Sequence, residues 1–260
     1  MIPYLHLGPL TIPTFGLMVA VALISAAYIL QADFNRRGFQ ADAFLMITIA
    51  GLAGIAGAKL YHLLEEPAVF FANPMSLLFS RYGFAWFGGF IGGCGAMLIL
   101  GWRAGLPLLE FLDACSPAAA FGYGIGRIGC FLSGDGDYGK PTSLPWGLSF
   151  PNGVVPTTER VHPAPLYELL IWCVIGAFLW HMGSNALQSS KPVKGPRVVK
   201  RSGGEIFCAY LILTGVARFS VEIIRINPPW LFGMSNAQVA SLVTIVVGVV
   251  LLWRLKTAAH

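Results

Sequence analysis

Arg127 lies in the stretch 121–139, FGYGIGRIGCFLSGDGDYG, at the end of an apolar, glycine-rich run, and two aspartates, Asp135 and Asp137, follow it. A second constellation, ARFSVEIIR, spaces Arg218, Glu222 and Arg225 by four and three residues, which puts all three on one face of a helix. Arginine stays protonated, and its planar fork binds phosphate oxygens bidentately. Two such residues in apolar segments predict an anion site, with Glu222 orienting the arginine or acting as a base. An intramembrane ion pair that only tethers helices fits the second constellation equally well. If an anion is bound, a phospholipid head group is the natural one.

The elements that must position these residues are membrane helices. The 260 residues are 56% hydrophobic and only 11% charged, with a positive mean hydropathy. An ordinary soluble domain, where about a quarter of residues are charged, is excluded. Apolar runs of spanning length fall at 12–32, 43–64, 84–102, 108–126, 165–181, 205–224 and 237–253. The fold class predicted is an all-α polytopic membrane protein of about seven transmembrane helices; β-barrel strands would show short alternating segments instead. The whole chain, 1–260, reads as a single integral membrane domain, and no signal-peptidase motif follows the first span, so that span is expected to be retained.

With the N-terminus outside, ten cations face the cytoplasm: Arg36, Arg37, Arg103, Lys191, Lys194, Arg197, Lys200, Arg201, Arg254 and Lys256. The positive-inside rule therefore selects N-out and C-in. The pI near 9 follows from this asymmetry, and no nucleic-acid partner is implied. An extracytoplasmic loop is expected at 127–162, between spans four and five, with ordered turns at its glycines and prolines. A basic cytoplasmic loop is expected at 184–203, touching anionic head groups. The five cysteines, Cys94, Cys115, Cys130, Cys173 and Cys208, form no Cys-x-x-Cys pair. They read as small apolar residues, with no metal site and no cofactor.

The order GRIGCFLSGDGDYG, VHPAPLYE, ARFSVEIIR and SNAQVASL, preceded by WFGGFIGG, resembles the prolipoprotein diacylglyceryl transferase family over nearly the whole chain. The resemblance implies an enzyme of the bacterial cytoplasmic (inner) membrane. Its reaction would move the diacylglyceryl group of phosphatidylglycerol to the lipobox cysteine of prelipoprotein signal peptides, forming a thioether and releasing glycerol phosphate. Carried over by motif, Arg127 and Arg218 are head-group arginines and Glu222 the acid one turn beyond. His162 completes the catalytic set. The substrate-binding set is Arg127, Gly129, Ser133, Gly134, Asp135, Tyr138, Gly139, Tyr167, Glu168, Gly88 and Gly89.

This chain departs from the family pattern at several places. Phe87 stands where many members have histidine, Phe15 where many have tyrosine, Cys130 where asparagine is common, and Ser133-Gly134-Asp135 replaces Asn-Gly-Glu. Phenylalanine neither takes nor gives a proton, so the base must be sought among His162, Glu222, Asp135, Asp137 and Tyr138. Each also has a plainer reading. His162 before proline fits a cap for the fifth span, Tyr167 an interfacial anchor, Glu168 a partner for a nearby cation, and Asp135-Gly-Asp137 a turn. Gly88 and Gly89 fit close helix packing. Two other functions remain open on sequence: a divergent member with another lipid or acceptor, or a transporter or lipid flippase, against which the lack of an obvious inverted repeat counts.

Overall fold

The computed structural model describes residues 1–65, 67, 75, 78, 80, 85–189 and 203–258. Among these the elements run β1 (Tyr4–Leu7), β2 (Leu10–Pro13), α1 (Thr14–Arg37), α2 (Ala43–Glu65), α3 (Trp86–Arg103) and α4 (Leu108–Ser133). They continue with β3 (Leu148–Phe150), β4 (Thr157–Val161), α5 (Ala164–Ser189), α6 (Glu205–Glu222) and α7 (Asn236–Ala258). Helices make up the body, as expected, and the strands form two small antiparallel hairpins, β1–β2 and β3–β4. Four helices are long and apolar enough to cross a membrane: α1, α2, α5 as far as Asn185, and α7. Lys191, Lys194, Arg197, Lys200 and Arg201, which entered the orientation argument, lie outside the described residues.

Neighbouring helices pair as α2 with α3, α1 with α4, α4 with α5, and α6 with α7, while α5 also touches α6. The α2–α3 seam shows why the sequence places glycine where it does. A Cβ at Gly88 would lie 2.2 Å from the Gly57 carbonyl oxygen, and one at Gly92 would lie 2.4 Å from that of Ala53. Lipid offers helices little hydrophobic reason to associate, so backbones this close gain their stability from dispersion contacts that a side chain would abolish. Two apolar clusters complete the interior. Leu30, Phe34 and Phe111 join α1 to α4, and Ala120, Trp172, Leu179 and Ile206 join α4, α5 and α6.

At one end of the bundle, buried polar groups lock the helices together. Asp33 accepts from both Arg36 and Arg37, while Arg36 also reaches α5, donating to the Trp180 carbonyl at 3.1 Å and the Ser184 hydroxyl at 2.7 Å. Asp113 of α4 accepts the Gly204 and Phe207 amides, each at 2.8 Å. It thereby satisfies the free N–H groups at the start of α6, a helix that has no capping side chain of its own.

Two expected boundaries move. The fourth span, expected over 108–126, continues as α4 to Ser133, so Arg127 lies well inside a helix and the expected loop 127–162 begins only at Gly134. The helix tolerates the charge because Arg127 is paired, and it stops where Gly134 takes the left-handed conformation, φ 59°. The sixth span, expected over 205–224, ends as α6 at Glu222, which leaves Arg225 beyond the helix.

Candidate active site

Arg127 on α4, Glu168 on α5 and Arg218 on α6 converge where these three helices meet. Glu168 has no exposed surface. Its Oε2 pairs with Arg127 Nε, and its Oε1 accepts from Arg218 Nη1 at 2.5 Å. Arg218 Nη2 also lies 3.1 Å from Glu222 Oε2, one helical turn on. Arg225 pairs with Asp137 and approaches Glu222 at 3.6 Å and Glu168 at 3.8 Å. Asp137 takes a second cation, Arg127, through Nη1 at 2.6 Å. Three arginines and three carboxylates are thus interleaved. A buried charge without a partner costs several kcal/mol, so only such a nearly neutral arrangement holds this many ionised groups among apolar helices.

The chain beyond α4 folds back to deliver Asp137. Its segment runs between α5's entry and the exit of α6: the Gly139 amide donates to the His162 carbonyl at 2.8 Å, and the Lys140 amide to the Ile224 carbonyl at 2.7 Å. A Cβ at Gly139 would stand 2.7 Å from Ile224 O and 2.8 Å from His162 Cβ, so only glycine fits between them. On the other side, Glu222 Oε1 accepts from Asn227 Nδ2 at 2.5 Å and Ser235 Oγ at 2.7 Å. Ser235 is also the cap of α7, exchanging bonds with Gln238 in a capping box.

The chain that carries this cluster matches known proteins over nearly its whole length. The family description "Prolipoprotein diacylglyceryl transferase" matches residues 3–254. The chain belongs to this family. It is 32% identical over 238 residues to the phosphatidylglycerol--prolipoprotein diacylglyceryl transferase of Clostridium tetani, covering 90% of each chain. The protein of the same name from Solidesulfovibrio magneticus is 33% identical, over 95% of this chain and 92% of its own. That from Pseudomonas putida is 31% identical, over 97% and 96%.

In this family member the two aspartates outside the helices are electrostatically opposite. Burial disfavours the charge on Asp137, but Arg127 and Arg225 outweigh it and hold the carboxyl at about 2. Asp135 has no such pair. Burial pushes its carboxyl above the ordinary range, with the Asp137 charge beside it adding to the rise against hydrogen bonds that lower it. Its Oδ1 accepts the Asp137 amide at 3.2 Å, the turn expected for Asp-Gly-Asp. With Pro3, Tyr4, Pro13, Phe15, Ser133 and Val154 it lines a cavity of about 310 Å³ between the N-terminal hairpin and the end of α4. The two carboxylates and Cys130 Sγ also lie within 4.8 Å of one another, but Asp137 there is taken by arginine.

The other predicted site residues divide. Arg127, Arg218, Glu222 and Glu168 come together, and Glu168 is the hub, a larger part than a simple partner for one cation. His162 does not join them: its Nδ1 lies 3.2 Å from the Tyr167 hydroxyl, which accepts from Trp146 Nε1 at 2.7 Å. Tyr138 stacks on Phe150 and donates to the Val155 carbonyl. Gly129 seats α4 against Phe15 and Met18 of α1; Ser133 bonds its own helix; Gly134 meets Gly153. Gly88 and Gly89 are engaged with α2, and the neighbouring Phe87 ring lies near Tyr61 and Trp86. Sequence reasoning left Arg225, Tyr123, Asn227 and Ser235 out of the site. Tyr123, 3.5 Å from Glu168 Oε1, stands four residues before Arg127 on the same helix face, a spacing that was available as a signal.

Proposed function

We propose that this chain transfers the diacylglyceryl group of phosphatidylglycerol to the lipobox cysteine of a prelipoprotein signal peptide, forming a thioether and releasing glycerol phosphate. The observation that carries the reading is the buried cluster in which Arg127 and Arg218 share Glu168. The sulfur forms a bond to the glyceryl carbon while that carbon's bond to the phosphate oxygen breaks, and the electron pair leaves with glycerol phosphate. Charge gathers on the leaving phosphate, where fixed arginine forks stabilise it most. Bound phosphate takes donors that the carboxylates hold in the free enzyme. Arg127 Nη2 and Arg225 Nη1 are buried without a hydrogen-bond acceptor, and in this reading they too donate to the phosphate. Family membership favours this reaction over transport.

The thiol must also lose its proton, since a cysteine of ordinary pKa, about 8.5, is only slightly ionised at neutral pH. Asp137 is held ionised by two arginines and is a weak base; Glu222 already accepts from Asn227 and Ser235 and faces two arginines. Asp135 is free of arginine pairing, more basic than an ordinary carboxylate, and opens on the cavity beside Phe15. It is the proton acceptor in this scheme, in place of the family histidine that Phe87 replaces.

The same reading includes seven membrane crossings in the bacterial cytoplasmic membrane, the N-terminus outside and the C-terminus inside. Arg36, Arg37, Arg103, Arg254 and Lys256 fall at or near the ends of α1, α3 and α7, opposite to the arginine cluster. The Ile2 amide bonds the Leu132 carbonyl, so the N-terminal hairpin and the cluster share one end of the bundle, which this reading takes as the outer one. Purified protein given labelled phosphatidylglycerol and a lipobox peptide should yield thioether-linked peptide and glycerol phosphate; phospholipid retained with no transfer rejects the reading.

A further inference from the structure

Between α6 and α7 the chain makes a loop, INPPWLFGM, residues 226–234, whose construction the transfer reaction does not explain. Its tip is a hairpin turn: the Met234 amide donates to the Leu231 carbonyl at 2.9 Å, and the Trp230 amide to the Met234 carbonyl at 2.7 Å. The two central residues both have positive φ, 51° at Phe232 and 76° at Gly233. That turn favours asparagine or glycine at its first central position, and a phenylalanine there is strained. Phe232 is the positive-φ residue other than glycine among the described residues, and it gains nothing from the interior, being 89% exposed. Trp230 beside it is 66% exposed. A costly conformation that thrusts an aromatic ring outward points to a contact made outside the chain.

What covers the ring follows from the neighbouring helix. Residues 226–253 contain no Asp, Glu, Lys, Arg or His, and α7 shows its apolar side along Val243, Val246 and Val250 to Trp253, ahead of the first cations, Arg254 and Lys256. From Asn236 to Trp253, at about 1.5 Å per residue, α7 covers about 27 Å, close to the roughly 30 Å of a bilayer's hydrocarbon core. With Arg254 at the inner boundary, the start of α7 reaches the outer one. Trp230 and Phe232 then lie at head-group depth, where aromatic rings partition best. The base of the loop is closed on the site, since Asn227 and Ser235, at its two ends, both donate to Glu222 Oε1.

We propose that the 226–234 loop is an interfacial wedge, seated through Trp230 and Phe232 in the head-group region of the outer leaflet, with Glu222 clasped at its base. It rests on α7 crossing the membrane and is independent of the transfer chemistry. The test uses the unmodified protein in nanodiscs of phosphatidylglycerol and phosphatidylethanolamine, with photoactivatable phospholipids carrying a diazirine either near the glycerol or at the acyl terminus. Adducts are mapped by mass spectrometry. The shallow probe should label 226–234 several-fold more than the deep one does, while the deep probe labels the middle of α7. The double variant Trp230→Ser, Phe232→Ser should lose that labelling several-fold, with α7 labelling unchanged. Labelling of the loop by a water-soluble diazirine but not by the shallow lipid overturns the proposal, as does its capture by a lipobox peptide probe in preference to lipid. Failed transfer activity with shallow labelling intact would reject the enzyme reading alone.

Discussion

Glu168 and Arg127 face each other from adjacent helices as a buried ion pair, and the same carboxylate binds Arg218 with its other oxygen. One acid therefore sets the separation of two forks from α4 and α6. Converting Glu168→Gln leaves that geometry sterically intact but removes a charge, so three arginines face two carboxylates. Breaking a buried pair in this way costs roughly 3–5 kcal/mol. Thermal unfolding in detergent should show a large drop in midpoint; a midpoint equal to the wild type's would remove Glu168 from its central place.

The forks themselves are tested by Arg218→Lys and Arg127→Lys. Lysine keeps the charge but makes a point contact where arginine binds two oxygens. Losing a donor aimed at developing charge lowers turnover by about 10² to 10³-fold. The expected result is that loss in kcat for each variant, with phosphatidylglycerol still bound. Unchanged kcat with a raised KM would assign the arginines to lipid binding only.

The pH behaviour of the two aspartates should differ in sign. Asp137 titrates at about 2 in the fold against an ordinary 3.8, so its ion pairs contribute stability above pH 3.8 that is lost as pH falls toward 2. That contribution is on the order of 2 kcal/mol. The stability gap between wild type and Asp137→Asn should be full at pH 6 and shrink below pH 4; a gap independent of pH would refute the pairing.

For Asp135 the folded carboxyl is raised, so its ionisation costs stability as pH climbs through that raised value. Asp135→Asn should leave the protein at least as stable at neutral pH. Its turnover should fall and lose the acidic limb of the pH profile, since the remaining acids are already ionised or arginine-bound. Retention of that limb in the variant would assign the proton to another group.

The helices were legible because apolar length is a strong signal, and Arg127, Arg218 and Glu222 because charge in apolar segments demands explanation. The extent of α4 was not, since an arginine looks like a helix end until its partners are known, and those partners come from Asp137, ten residues on, and Glu168, in another helix. Arg225 looked like a third residue on one helical face; it reaches the cluster from beyond α6 because the Glu222 turn redirects the chain. His162 was named by its residue type as a proton acceptor; it stands apart from the arginine cluster, its backbone bonded to Gly139 and Lys140.

Glycines in the third span supported two readings, close packing or approach of a lipid head group to the backbone, and a matched pair of substitutions separates them. At Gly88 a Cβ would meet the Gly57 carbonyl oxygen at 2.2 Å and Tyr61 Cβ at 2.4 Å, whereas at Gly95, on the same helix, it meets nothing within 4 Å. Overpacking a tight contact costs about 1–3 kcal/mol, while glycine to alanine at an open helical position gains about 0.5–1 kcal/mol. Gly88→Ala should therefore lower the unfolding midpoint and Gly95→Ala should hold or raise it. The expected kinetic signature of Gly88→Ala is a loss of folded protein at constant KM per active molecule. A raised KM for phosphatidylglycerol at undiminished stability would place Gly88 at the lipid after all, since only a contact with substrate distinguishes it from the seam against α2.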